Sequence, residues 1–181
     1  EVCGQTDIAY TVLRPGVLYG PYNYAPRESL FIQIALKNHV LPEITDAAGK
    51  FQFVYVKDAA EAIEKCLLNK KAFGQAYNLC GNEVLDYRLF IEGLEWAMRE
   101  DENETESGHL TEEHSQPFFC SRIPMTVKEA TAQGIPLPFA VYEEETELYS
   151  NEKSKKELGM VYTSFQEGMK KTYRAFKGVF G

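Results

Sequence analysis

Three short runs rich in β-branched and aromatic residues recur along the first half of the chain, and each is followed by helical apolar spacing. Residues 8–13 (IAYTVL) end at Arg14-Pro15-Gly16, residues 51–56 (FQFVYV) run into Asp58, and residues 76–80 (AYNLC) close at Gly81-Asn82. Such runs read as strands, the first and third as buried ones. Between them, residues 28–38 place Leu30, Phe31, Ile34 and Ala35 on one helical face, and Pro42 breaks the pattern after it. Asp58 and Glu61 form an N-cap and capping box for a second helix with Ile63, Cys66 and Leu67 as its inner stripe. Asp86 caps a third helix, with Leu89, Phe90, Leu94, Ala97 and Met98 inside, and Tyr87 and Trp96 belong to its core side. Strand–helix alternation in this order is an α/β pattern. Two buried strands are too few for a covered parallel sheet of usual width, so these strands are expected to need neighbours beyond those the chain itself supplies.

Composition narrows the partners. The chain has 27 acidic and 19 basic residues and a net charge of −8. An acidic chain lacks the cationic footprint that nucleic acid or an anionic membrane requires, and no apolar run approaches a membrane span. The cysteines (Cys3, Cys66, Cys80 and Cys120) form no CxxC pair and have no metal-ligand spacing. Cys66 and Cys80 read as small core residues, and a reduced, cytoplasmic setting is the simplest expectation.

Residues 100–114 are acidic and contain no Lys or Arg. They read as an exposed connector over residues 100–116, between an N-terminal part (1–99) and a C-terminal helical part (117–181). His109 and His114 lie there among Glu104, Glu106, Glu112 and Glu113, a pattern that fits a solvated acidic loop better than a metal site. Further on, Thr126 with Glu129 forms a capping box for a short helix stopped by Gly134. A second short helix over 152–158 stops at Gly159, and Ser164 with Glu167 caps a last helix reaching about Lys177. His39, just past a helix, reads as a C-terminal dipole partner.

Four segments in order carry a resemblance: YTVLRPGVLYGP (10–21), FVYVKDAAEAI (53–63), AYNLCGNEVLDYRLF (76–90) and SKKELGMVYTSFQEGMKKTYRAF (154–176). Together they resemble the C-terminal half of the extended short-chain dehydrogenase/reductase family, also called the NAD-dependent epimerase/dehydratase family. The resemblance implies the C-terminal part of a Rossmann-like parallel sheet plus a small, mostly helical substrate domain. It also implies NAD or NADP as cofactor of the parent protein, hydride-transfer chemistry, and a catalytic Tyr–Lys pair and glycine-rich turn. Neither of these last two features is in this sequence, so the chain alone is expected to be inactive.

The resemblance assigns residues as well. Pro15, Gly16 and Val17, at the carboxyl end of the first strand, correspond to backbone beside the nicotinamide. Tyr19 and Asn23 fall in the loop that leads to the substrate, and Phe51 and Tyr55 lie on the strand that borders the substrate cleft. Independently of the family, Gly16 permits close backbone approach and Pro15 interrupts a ladder, although a plain strand-to-loop turn would explain both. Asp58 reads as a helix cap rather than a catalytic acid. Relatives acting on nucleotide-diphosphate sugars typically carry an arginine where Phe51 stands and another within the segment equivalent to 137–148, which contains none here. That argues for a small-molecule substrate other than a nucleotide-diphosphate sugar, since an arginine fork is the natural partner of a diphosphate. The alternatives are a non-catalytic interaction module derived from the same family, and a homodimer that covers the open sheet edge.

Overall fold

The computed structural model describes residues 8–23, 25–106 and 120–180. In chain order these form β1 (Thr11–Pro15), β2 (Val17–Tyr19), α1 (Glu28–Asn38), β3 (Val40–Ile44), β4 (Phe53–Tyr55), α2 (Val56–Cys66), β5 (Gln75–Leu79), α3 (Tyr87–Glu106), β6 (Ser121–Met125), α4 (Val127–Ala132), α5 (Glu152–Leu158) and α6 (Phe165–Phe180). Among the described residues the strands pair in parallel, β1 with β5, β2 with β4, and β3 with β6. The α/β reading from the sequence therefore holds, and every observed ladder is parallel.

The pairs are stitched where the chain steps from β1 to β2. The Gly16 N–H donates to Leu79 O (2.9 Å), Val17 N–H to Gln52 O (3.0 Å) and Gly81 N–H to Phe53 O (2.6 Å). β1 extends to Pro15, opposite Leu79, so the proline does not end the ladder as the sequence suggested. Because Gly16 donates towards β5, alternation points the missing N–H of Pro15 to the opposite edge, where a ladder bond to β5 is not at stake. β1 is only half-buried, with Arg14 and Pro15 exposed, rather than the buried strand expected.

Two apolar clusters form. The larger gathers Phe31, Phe53, Tyr87, Phe90, Phe139 and Phe165 from α1, β4, α3, a loop and α6. Their rings meet tilted and edge to face, as in Phe31–Phe90 (5.1 Å, 80°) and Phe53–Phe139 (5.0 Å, 70°), geometries that align ring edges with ring faces. The smaller cluster packs Val54, Ala62, Tyr77, Leu79, Leu158 and Met160 between α2, β5 and α5.

Several helices begin and end where their caps indicated. Asp86 Oδ1 accepts from Leu89 N–H at 2.7 Å. The Thr126/Glu129 capping box is complete, and Gly159 closes α5 in the left-handed conformation. His39 takes the C-cap of α1.

Other expectations change. α1 ends at Asn38, before Pro42, as read, but Pro42 itself lies inside a strand, β3, opposite Ile123. The inner face of α1 is Phe31, Ile32 and Ala35, with Ile34 only partly covered. α2 starts at Val56, so Tyr55 is its N-cap and Asp58 lies in its first turn. Instead of capping, the buried Asp58 carboxylate accepts from Thr163 N–H (2.8 Å) and Thr163 Oγ1 (2.7 Å), fastening the entry of α6. The α2 stripe is also turned: Ala62 is buried, whereas Ile63 and Leu67 are exposed.

The acidic stretch is helix where it is described. α3 continues to Glu106, because α6 supplies the cations that the local sequence lacks. Asp101 accepts from Arg174 Nε (2.6 Å) and Lys177 Nζ (2.9 Å), and Glu104 pairs with Lys170 and Arg174. The remainder of that predicted connector, with His109, His114, Glu112 and Glu113, lies outside the described residues, as does Cys3. Cys80 and Cys120 are buried and Cys66 partly so, all as free thiols.

Candidate functional site

β2 and β4 run side by side, Tyr19 opposite Tyr55, and their carboxyl ends open into a cavity of about 1010 Å³. The first turn of α2 and the second half of α6 form its other walls. Ligands in open α/β sheets bind outside the carboxyl ends of parallel strands, where loops and helix starts converge. Tyr19, Asn23 and Tyr55, expected from the sequence to meet substrate, all line this one cavity.

Their roles differ. Tyr19 is 2% exposed and contributes ring surface, stacked on Phe53 at 5.1 Å. Its hydroxyl is buried without a hydrogen-bond partner among the described residues, beside Gly168 of α6. A Cβ at position 168 would lie 1.9 Å from that oxygen, so only glycine leaves room for the tyrosine. Burial pushes the Tyr19 hydroxyl well above its ordinary pKa, and the nearby carboxylates of Asp58 and Glu83 push the same way. Tyr19 thus stays neutral and is not a proton donor to solvent.

Tyr55 is also 2% exposed, with its ring edge-on to Tyr19 at 5.6 Å and Lys171 Nζ 5.9 Å from its centroid. Burial raises its pKa, and the Lys171 charge works against that rise. Among the described residues its hydroxyl has no hydrogen-bond partner, so it remains available to the cavity.

Asn23 is held rather than free. Its Nδ2 donates to both oxygens of Glu28, at 3.0 and 3.1 Å, while its Oδ1 accepts from Ala25 N–H at 3.1 Å. The Gly20 N–H donates to the same Glu28 carboxylate at 3.3 Å. Gly20 has a φ of +134°, which a side chain would resist, so the loop turns there and Glu28 latches it. Glu28 is fully buried, and burial raises its pKa against the lowering effect of the Asn23 hydrogen bond. The sequence marked Glu28 only as the first residue of a helix; nothing local links it to Asn23.

Phe51 does not reach the cavity. Its backbone pairs with Leu85 in an antiparallel bridge, with both hydrogen bonds at 2.9 Å. That turns its ring into the aromatic core, 4.7 Å from Phe139 and 5.4 Å from Phe53. Phe51 is therefore a core residue, not a pocket wall. Phe53, on the same strand as Tyr55, is buried in the same cluster.

Pro15, Gly16 and Val17 sit together at the carboxyl end of β1, beside the start of β2. The structure gives Gly16 a packing reason: a Cβ there would come 2.9 Å from Gln52 O. The close approach that the glycine permits is to a neighbouring strand. Val17 packs against the larger cluster, and Pro15 is exposed.

Two cavity residues escaped the sequence reading as a pair. Lys57 and Lys171 both line the cavity, from α2 and α6. Lys57 belongs to the first turn of α2, directly after the strand. Lys171 shows only as one of several basic residues on an amphipathic helix. Among the described residues no group of three or more His, Cys, Asp or Glu could hold a metal ion.

Comparison with known proteins agrees with this fold. Residues 1–80 match the sequence model of the NAD dependent epimerase/dehydratase family. The chloroplast stem-loop binding protein of 41 kDa b of Arabidopsis thaliana is 30% identical over 80 residues, 44% of this chain and 21% of that protein. Among solved structures, UDP-glucuronic acid 4-epimerase from Bacillus cereus, in complex with UDP-glucuronic acid and NAD, has 18% identity and a TM-score of 0.61, covering 95% of this chain and 46% of that one. UDP-glucose 4-epimerase from Thermotoga maritima, with UDP-glucose, has 20% identity and a TM-score of 0.64 over 96% of this chain and 48% of that one. The dTDP-glucose 4,6-dehydratase from Bacillus anthracis, in complex with NAD, has 20% identity and a TM-score of 0.58 over 93% and 44%. The chain thus spans less than half the length of the solved structures it matches and about a fifth of the curated relative.

Proposed function

We propose, from the match of residues 1–80 to the NAD dependent epimerase/dehydratase family, that the chain is a member of that family and forms the substrate-binding part of a nicotinamide-dependent oxidoreductase or epimerase. The observation that carries the reading is the convergence of Tyr19, Asn23 and Tyr55 on one cavity at the carboxyl ends of a parallel strand pair. In this reading the strand end at Pro15, Gly16 and Val17 borders NAD or NADP. The exposed Pro15 at the carboxyl end of β1 fits one edge of such a cofactor. When bound, the nicotinamide supplies hydride transfer. The residues of this chain bind and orient the substrate and exclude water through the aromatic wall of Tyr19 and Tyr55. The Glu28–Asn23 latch fixes the loop that edges the cavity.

The substrate in this reading is a small molecule other than a nucleotide-diphosphate sugar. Phe51 stands where relatives place a phosphate-binding arginine, its ring sealed in the core, and the described residues lining the cavity include no arginine. The curated relative is named for stem-loop binding, but a net charge of −8 disfavours nucleic acid here. The free thiols fit a reducing, cytoplasmic setting. No helix of the described residues is long and apolar enough to cross a membrane.

The test is nicotinamide chemistry in the complete gene product that carries this chain, followed by the absorbance of the reduced cofactor. Turnover is expected from that product and none from the 181-residue chain alone. Robust turnover by the chain alone, or a complete product that neither binds nor turns over nicotinamide, overturns the reading.

A further inference from the structure

The cavity at the ends of β2 and β4 has a composition unlike the rest of the molecule. Leu18, Pro21, Val56 and Ala60 line one side, and Phe176 and Val179 of α6 line the other. Among the described residues its only charged lining residues are Lys57 and Lys171, in a chain where acidic residues outnumber basic ones by 27 to 19. Lys57 has no ion pair among the described residues. Lys171 pairs with Glu167 at 3.0 Å, but both side chains are about half-exposed, and such i,i+4 pairs contribute little and exchange readily. The same cavity is lined by the buried Tyr55, 5.9 Å from Lys171 Nζ at its ring centroid, with a hydroxyl that no described residue satisfies. A nucleotide diphosphate would need an arginine fork and many polar partners, which this wall lacks.

Resting on the reading that this cavity is a substrate site, we propose that its ligand is an organic acid with an apolar body, its anionic head matched by Lys57 and Lys171 and its body by the α6 and β2 walls. The match is chemical: apolar surface removes the body from water, and charge-assisted bonds from ammonium groups hold the head. The Tyr55 hydroxyl supplies a further donor to that head.

The probe is decanoate, kept below its micelle-forming concentration and titrated calorimetrically into the 181-residue chain, with decanol and decyltrimethylammonium as matched controls. Decanoate is expected to bind saturably at one site, at least about tenfold more tightly than decanol, with the cationic control weaker still. Lys57→Ala and Lys171→Ala are each expected to weaken decanoate about tenfold, a loss of about 1.4 kcal/mol, while leaving decanol unchanged. Both lysines are exposed, so an unchanged unfolding midpoint verifies that the variants fold. Equal binding of decanoate and decanol, full affinity in both lysine variants, or no saturable binding overturns the proposal. So does a dimer seen by light scattering that Val179→Asp dissociates, because this face would then be an interface between copies. Decanoate binding without nicotinamide turnover in the complete product removes the oxidoreductase reading alone. Nicotinamide turnover without decanoate binding removes this inference alone.

Discussion

Phe90 and Leu13 both sit on elements that the sequence marks as core, yet Phe90 is inaccessible to solvent and Leu13 is only partly covered. Phe90 lies on α3, which α6 and β3 pack against, inside a cluster of aromatic rings. Leu13 lies on β1, which β5 pairs on one edge and α2 covers on one face. Around the second region the apolar residues turn outward: Ile63, Leu67 and Leu68 are exposed, the last at 95%. The helical region closes its core with its own residues. In the β1–β5–α2 region, much apolar surface has no cover among the described residues. The same residue types therefore carry different energetic weight in the two places.

The sharpest way to break this comparison is truncation on each side. Phe90→Ala should destabilise by about 3–5 kcal/mol, because it removes a fully buried ring from a packed cluster. Leu13→Ala should cost no more than about 1.5 kcal/mol, because half-covered apolar area has less transfer energy to lose. Urea unfolding of both variants checks the ordering, and equal losses would dissolve the distinction.

A smaller effect is expected from the seam that makes the helical region self-sufficient. Asp101→Asn should lose about 2 kcal/mol, since its carboxylate serves two cations of α6. Burial pushes the Asp101 carboxyl up, but its bonds to Lys177 and Arg174 outweigh burial and hold it below the ordinary 3.8. The folded state thus binds this proton less tightly than the unfolded chain. The contribution is complete above the ordinary value and is lost as pH falls through the lowered one. Thermal midpoints of parent and variant should therefore converge in acid.

Glu28 sharpens the contrast with the opposite sign and the smallest effect. Burial raises its pKa above the ordinary 4.5, so the folded protein holds its proton more tightly than the unfolded chain does. Its contribution is present below the ordinary value and fades as pH rises through the raised one. Glu28→Gln should stay within about 1 kcal/mol of the parent near neutral pH and should flatten the pH dependence of stability across that window. Denaturant midpoints over a pH series read both effects.

What could be read in advance follows the range of the interaction. The Thr126/Glu129 box, the Asp86 cap and the Gly159 stop were legible because each is settled within four residues. The parallel β1–β5 pairing was legible in kind, because buried strands joined through helices have few other solutions. Asp58 misled for the same reason: its spacing to Glu61 is that of a cap, yet its partner is Thr163, 105 residues away. Three of the four expected substrate residues converge on one cavity. Phe51 fails because a backbone bridge to Leu85 decides which way its ring points, and no local pattern encodes that bridge.

By itself, the sequence determined the six helices and three of the six described strands (β1, β4 and β5), the helix ends fixed by caps, the acidic balance and the absence of arginine at residue 51. These are set by backbone propensity, apolar spacing and side chains that act within a turn of their own position. Only the tertiary structure decided that 100–106 is helix, because cations on α6 pair with the carboxylates of Asp101 and Glu104. It alone sealed Phe51 in the core, gave Tyr19 its place against Gly168, and set Lys57 and Lys171 around one apolar cavity. Each of these depends on groups far apart in the chain, and their charge and shape act only once folding has brought them within contact distance.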